Sequence, residues 1–420
     1  MPALPRHIAA VLSALKLKGG HPEELRGLSD QEWENLLSYT DSAHMTLHLA
    51  YVCRSYFPQW VDERTAHNLS DNSQRFERIK RAYQDLAHAF RGAGVEYIVL
   101  KGFSHWPGYV ENPRLRLQSD IDLFCPRQSI GKALEILNSL GYRAAPTGMF
   151  TDHLPIMIRS SGWKWKGNLY DPEIPAHVEI HHQLWGRDRA RFGPFTDDFW
   201  RRRSTRQVED LTFPTLNWVD TLGFAALQVL RDLLNHGLST HKVYELARFL
   251  HMNANDPVFW RDWKNLHEPV ARRAEAVAFR LAVECFGCDV HPIVAQEIEM
   301  LPTPMRRWMR EYSTSALNPV ENMNKDAVWL HIALIQSLRD KLAVFFRELI
   351  PTKLKVDPDT TSVTDDGELN AHALRSVRYV SYALTRIPFH AMLIPITLWH
   401  GLRLYIPRRR TGETPLMDGL

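Results

Sequence analysis

The chain has 420 residues, 45% hydrophobic and 24% charged, enough apolar material for two or three cores and too much for a disordered segment. A formal net charge of +3 is too mild to mark a specific nucleic-acid binder, and it would not repel a polyphosphate substrate. Cys53, Cys125, Cys285 and Cys288 are too few for a disulfide framework, and the opening residues lack a secretory apolar core, so a cytoplasmic location is the expectation.

The first ninety residues read as helices. "SDQEWENLLSYTDSAHMTLHLAYVCRSY" repeats apolar positions at three and four, and Ser29 followed by Glu32 makes a capping box. "NSQRFERIKRAYQDLAHAFRGAG" carries Phe76, Ile79, Ala82, Tyr83, Leu86 and Phe90 along one face and ends at Gly92 or Gly94. The pattern then switches to a short buried strand, "EYIVL", followed by a Lys101-Gly102 turn, a strand "DIDLF", and a helix "RQSIGKALEILNSLGY" closed by Gly141. "AHVEIHHQLW" is a further strand, with Glu179 and His181 on the face opposite Val178 and Ile180. From about residue 210 the period returns to that of helices. The expected division is a helical segment over 1–92, an α/β core over 93–208, a helical domain over 209–350, and an acidic loop with a hydrophobic tail over 351–420.

The DIDLF strand poses a physical question. Residues two apart share a face of a strand, so Asp120 and Asp122 stand side by side between Ile121, Leu123 and Phe124, where two like charges repel. A divalent cation held by carboxylate oxygens resolves the conflict, and Glu179 supplies a third carboxylate. The same repulsion predicts that Asp120→Asn or Asp122→Asn stabilises the metal-free protein.

"YIVLKGFS", "RLRLQSDIDLF" and "HVEIHHQLW", preceded by "EWENLL" around Trp33, resemble the uncharacterised nucleotidyltransferases, a bacterial family of the DNA polymerase beta-like nucleotidyltransferase superfamily. The resemblance covers roughly residues 25 to 250. It implies an α+β fold: a nucleotidyltransferase core of a small mixed sheet with flanking helices, preceded by N-terminal helices and followed by a mostly helical domain. It implies transfer of a nucleotidyl group from a nucleoside triphosphate to a hydroxyl or similar acceptor on a small molecule, peptide or protein, with two Mg²⁺ (or Mn²⁺) ions held by Asp120, Asp122 and Glu179. Gly102 would let the backbone approach the triphosphate, Ser104 would donate to a phosphate oxygen, and Lys101 and Arg116 would add positive charge. His181 would orient Glu179 or touch the acceptor. The turn departs from the family's usual Gly-Ser or Gly-Gly, because Phe103 intervenes before Ser104. Arg116 paired structurally with Asp120 or Asp122, and Lys101 turned away from the ligand, are the competing readings.

Other stretches are weighed against plainer roles. "CFGCDVH" spaces Cys285, Cys288 and His291 as zinc ligands are spaced, but no second pair accompanies them. "RRRSTR" at 201–206 reads as a solvated basic cluster, and Trp163 and Trp165 as hairpin packing or a flap over a base. Asn235, His236 and Tyr244 are placed either at the cleft or in helix packing. The tail 387–406 is apolar but broken by Pro388, Pro395, His390 and His400, which leaves a terminal helix packed on the helical domain, or peripheral membrane contact with Arg408, Arg409 and Arg410 toward anionic lipid. Two rival functions stay open: a catalytically silent nucleotide-binding or interaction module, and a glycosyltransferase that holds a nucleotide sugar through its DxD. No residue names the acceptor.

Overall fold

A computed structural model describes residues 4–145, 152–185, 197–235, 237–317, 325–349 and 391–406. The chain opens with α1 (Arg6–Ala14), α2 (Asp30–Ser42), α3 (Thr46–Cys53) and α4 (Gln59–Gly92). Ser29 and Glu32 form the reciprocal capping box at the start of α2. The 34 residues of α4 begin well upstream of the apolar stripe at Phe76, because the buried face of its first half carries Thr65, Asn68 and Asn72, which hide the helical period.

One mixed sheet follows, built from β1 (Ile98–Val99), β2 (Asp120–Phe124), β3 (Tyr142–Ala144), β4 (Met157–Arg159), β5 (His177–His181), β6 (Ser204–Val208) and β7 (Leu211–Thr215), in the spatial order β3-β4-β5-β2-β1-β7-β6. Helix α5 (Arg127–Ser139) connects β2 to β3, and Gly141 takes the left-handed φ of 87° that lets the chain reverse after it. The central pair β2 and β5 runs parallel, in the register Asp120 to His177, Asp122 to Glu179 and Phe124 to His181. Ile121, Leu123, Val178 and Ile180 therefore share one face, and they pack with Phe76, Tyr83, Leu86 and Phe90 of α4 and Ala133 and Leu137 of α5. The opposite face holds Asp120, Asp122, Glu179 and three ring residues.

The remaining helices are α6 (Trp218–Leu234), α7 (Thr240–Met252), α8 (Pro257–Leu266), α9 (Pro269–Phe286), α10 (Pro292–Glu299), α11 (Thr303–Tyr312), α12 (Ala327–Leu334) and α13 (Leu338–Leu349), and residues 391–405 form a last helix, α14. Their core, centred on Leu230, Leu246, Trp260, Phe279 and Phe286, also takes in Val11, Trp33, Leu36 and Leu49 from α1 to α3. The first three helices are thus built into the helical half, while α4 covers the sheet. The architecture is α+β, as expected.

The basic cluster at 201–206 is solvated only in part: Arg201 and Arg203 are exposed, but Arg202 and Arg206 turn inward. Arg206 lies in β6, buried, with its guanidinium over the Trp218 ring and donating to the carbonyls of Ser104 and Leu216, while Arg202 forms a two-pronged pair with Asp220. Helix α14 packs on the helical half, where Trp329 Nε1 donates to Thr397 O at 2.8 Å and His400 Nδ1 lies 3.0 Å from Asp326. Its outer side exposes Met392, Ile396, Trp399, Leu402 and Tyr405. Among the described residues no helix is long and apolar enough to cross a membrane. The acidic stretch 355–370, His236 and Arg408 to Arg410 lie outside the described residues.

Candidate active site

The site is assembled by strand register. Parallel pairing of β2 with β5 sets Glu179 beside Asp122 and His177 beside Asp120, all on the face that α4 and α5 leave uncovered. The end of β1 completes it: Leu100 donates its N–H to Asp122 O at 3.0 Å, so the next residue, Lys101, leaves the sheet beside the carboxylates. Lys101 Nζ donates to Asp122 Oδ1 at 2.6 Å, and His181 Nε2 lies 3.0 Å from the same oxygen. His181 Nε2 is also 3.6 Å from Glu179 Oε2, and His177 Nε2 is 3.7 Å from Glu179 Oε1. Three carboxylates therefore face three basic side chains.

These contacts split the titration of the aspartates. Burial alone would raise Asp122, but Lys101 and His181 outweigh it and hold its carboxyl well below the ordinary value. Burial and the neighbouring Asp122 raise Asp120, and Lys101 only partly offsets them. Burial would raise Glu179 too, yet the neighbouring His177 and His181 rings pull it down to about 2.

Gly102 is required by two features at once. Its φ is 60°, and a Cβ placed there would lie 2.3 Å from Nε2 of Gln118, which donates to Asp120 O at 2.7 Å. Ser104 is fully buried, and its hydroxyl donates to Leu100 O at 2.9 Å, so it fastens the turn onto β1. Arg116 approaches from the segment before β2, which Asn72 anchors by donating to Arg114 O at 2.6 Å and Arg116 O at 3.1 Å. Its Nε donates to Glu245 Oε1 at 3.0 Å, and the other oxygen of Glu245 is 2.8 Å from His105 Nδ1. Arg116 thus pairs with α7, not with the aspartates, and its two terminal nitrogens bond to no described residue, while the charges of Asp120 and Asp122 still help to raise its pKa against the opposing effect of burial.

Two groups of side chains here have the spacing of metal ligands. Asp120, His177 and Glu179 form one; Asp122, Glu179 and His181 form the other, with donor atoms within 4.8 Å of one another in each. Carboxylate and imidazole donors at this spacing fit divalent ions. Divalent metal is the group that nucleotidyl transfer implies, and these residues suit it.

Sequence reasoning named Glu179 and His181 but passed over His177, which the same alternation places on their face. It also missed Glu245, whose partners lie more than a hundred residues away. Tyr244 beside it is buried against His48 and Phe286, so it packs the helices, and Asn235 caps the end of α6. Cys285 and Cys288 are buried free thiols, and His291 caps α10 by accepting from the Ile293 N–H at 3.2 Å. Trp163 Nε1 donates to Asp171 at 3.0 Å, whereas Trp165 stands exposed. A separate pocket, bordered by Phe199 and Phe224, meets the apolar cluster around Phe124 on the face that carries the carboxylates.

A search of curated proteins and a search of solved structures each find no match. The family model described as uncharacterised nucleotidyltransferase matches residues 29–287, more than half of the chain and a span that contains every site residue above. The chain belongs to this nucleotidyltransferase family.

Proposed function

We propose that the protein transfers a nucleoside monophosphate group from a nucleoside triphosphate to an acceptor hydroxyl, with two divalent ions held by Asp120, Asp122 and Glu179. The observation that carries this reading is the register of β2 on β5, which sets three carboxylates from two strands on one face of the sheet, opposite the face that α4 and α5 cover. In the reaction the acceptor oxygen forms a bond to the α-phosphorus, the bond from that phosphorus to the leaving pyrophosphate breaks, and the hydroxyl proton departs. Divalent ions bound there would screen the charge that grows on the entering and leaving oxygens.

The chain's own groups supply the rest. Arg116 is held through its Nε by Glu245, and its two terminal nitrogens, which bond to no described residue, are left to grip a phosphate through two parallel hydrogen bonds. Lys101 holds Asp122 ionised and adds positive charge at the triphosphate. Glu179, set beside Asp122 by the strand register, completes the ligand set of the ion that activates the acceptor hydroxyl. Gly102 keeps the turn thin, and Ser104 takes no part in gripping phosphate. The pocket bordered by Phe199 and Phe224 offers space for part of an acceptor.

Calorimetric titration with a non-hydrolysable nucleoside triphosphate, with and without divalent metal, tests the binding half of the proposal. Metal-dependent binding supports it. Binding of nucleotide sugars but not of triphosphates would instead favour a glycosyltransferase.

A further inference from the structure

Among the described residues, both groups of candidate ligands contain a histidine. His177 stands with Asp120 and Glu179, His181 stands with Asp122 and Glu179, and Glu179 belongs to both. Two donors bound about 2.1 Å from one ion at angles of 90–110° lie about 3.0–3.4 Å apart. The separations found here, 3.0 Å for His181 to Asp122, 3.6 Å for His181 to Glu179 and 3.7 Å for His177 to Glu179, match that span or exceed it by a few tenths of an ångström. The rings are brought there by the same strand register that places the carboxylates, since His177, Glu179 and His181 alternate along β5 on one face.

Imidazole nitrogen distinguishes between ions. Mg²⁺ takes oxygen ligands and retains several waters, whereas divalent ions of the first transition row accept nitrogen with increasing affinity from Mn²⁺ to Cu²⁺. We infer that His177 and His181 are metal ligands, and that the site selects a first-row transition ion over Mg²⁺. This inference rests on the nucleotidyl-transfer reading for the presence of metal, but it concerns which metal and which donors.

The probe is Mn²⁺, followed by pulsed electron paramagnetic resonance and by equilibrium titration in competition with Mg²⁺. The wild-type protein should show coupling of bound Mn²⁺ to imidazole nitrogen. His177→Ala should lose part of that coupling and weaken Mn²⁺ at least tenfold, while Mg²⁺ affinity changes less than threefold. The side chain of His177 is 24% exposed, so its truncation opens no sealed cavity, and the wild-type spectrum decides the matter even for a variant that folds poorly. Bound Mn²⁺ without nitrogen coupling, or an unchanged Mn²⁺ affinity in a folded His177→Ala protein, overturns the inference. An enzyme that transfers nucleotide with Mg²⁺ and shows no nitrogen coupling would overturn this inference alone. Nitrogen-coupled Mn²⁺ in a protein that transfers nothing would support it and overturn the functional reading.

Discussion

Lys101 Nζ sits 2.6 Å from Asp122 Oδ1, both side chains largely buried, so the cation that balances the paired aspartates in the protein itself is a lysine. This alters the expectation drawn from like-charge repulsion. Asp122 is stabilised by its surroundings, and only Asp120 bears the cost of the pair.

The two aspartates should therefore behave oppositely in the metal-free protein. Asp122→Asn leaves Lys101 buried beside an uncharged amide and should lower stability by roughly 2–4 kcal/mol. Asp120→Asn removes a carboxyl that burial and Asp122 disfavour, and should be neutral or stabilising by up to about 1 kcal/mol. Urea denaturation in the presence of a chelator measures both. Equal destabilisation would show that Lys101 is not the compensating charge.

Glu179→Gln should part binding from turnover. With Asp120 and Asp122 still present, metal-dependent triphosphate binding should stay within about tenfold, or ~1.4 kcal/mol, while transfer slows at least about 10²-fold. Calorimetry beside a pyrophosphate-release assay reads the two quantities separately. Normal transfer by this variant would move the third ligand elsewhere.

Glu245 anchors Arg116 from α7, so Glu245→Gln should act at a distance from the metal. The amide retains a hydrogen bond but leaves the buried guanidinium without its counter-charge, a loss of about 1–3 kcal/mol in stability. A tenfold or greater rise in KM for the triphosphate should accompany it, with kcat less affected. An unchanged KM in a folded variant would remove Arg116 from the phosphate site.

A pH dependence follows from His267, which lies 2.9 Å from Glu275 and 3.8 Å from Asp220. Burial disfavours its charge, but the two carboxylates overcome this and raise its pKa from 6.5 to about 9. A raised histidine pKa adds stability that is fully present below pH 6.5 and is lost as pH climbs to about 9, on the order of 3 kcal/mol. The difference between wild type and His267→Gln in urea midpoint should shrink over that window; a constant difference would contradict it.

Much of the site was legible because strand alternation is a strong local rule. It places Asp120 with Asp122, and Glu179 with His181, without knowledge of which strands pair. The register that brings the two pairs together depends on tertiary packing, as does the arrival of Lys101 from the end of β1. Arg116 carried its charge in plain view, but its partner is a helix residue in a segment whose apolar spacing marked only packing. Ser104 misled for a similar reason: a hydroxyl after a glycine suggests a phosphate donor, yet Phe103 fills the core and turns Ser104 onto Leu100. The strand at Ser204–Val208 was concealed by its arginines, because a buried Arg206 stacked on Trp218 has the sequence signature of a solvated one.

The central claim is that this face of the sheet moves a nucleotidyl group, and the position of the transferred label tests it most directly. Triphosphates labelled at the α- or the γ-phosphate are incubated with the protein, divalent metal and pools of small molecules and peptides as acceptors. The account predicts a product labelled from the α-position only, with pyrophosphate released in equal amount, and no labelled product from the Asp122→Asn protein. Label transferred from the γ-position, or α-label transfer undiminished in Asp122→Asn, would contradict it.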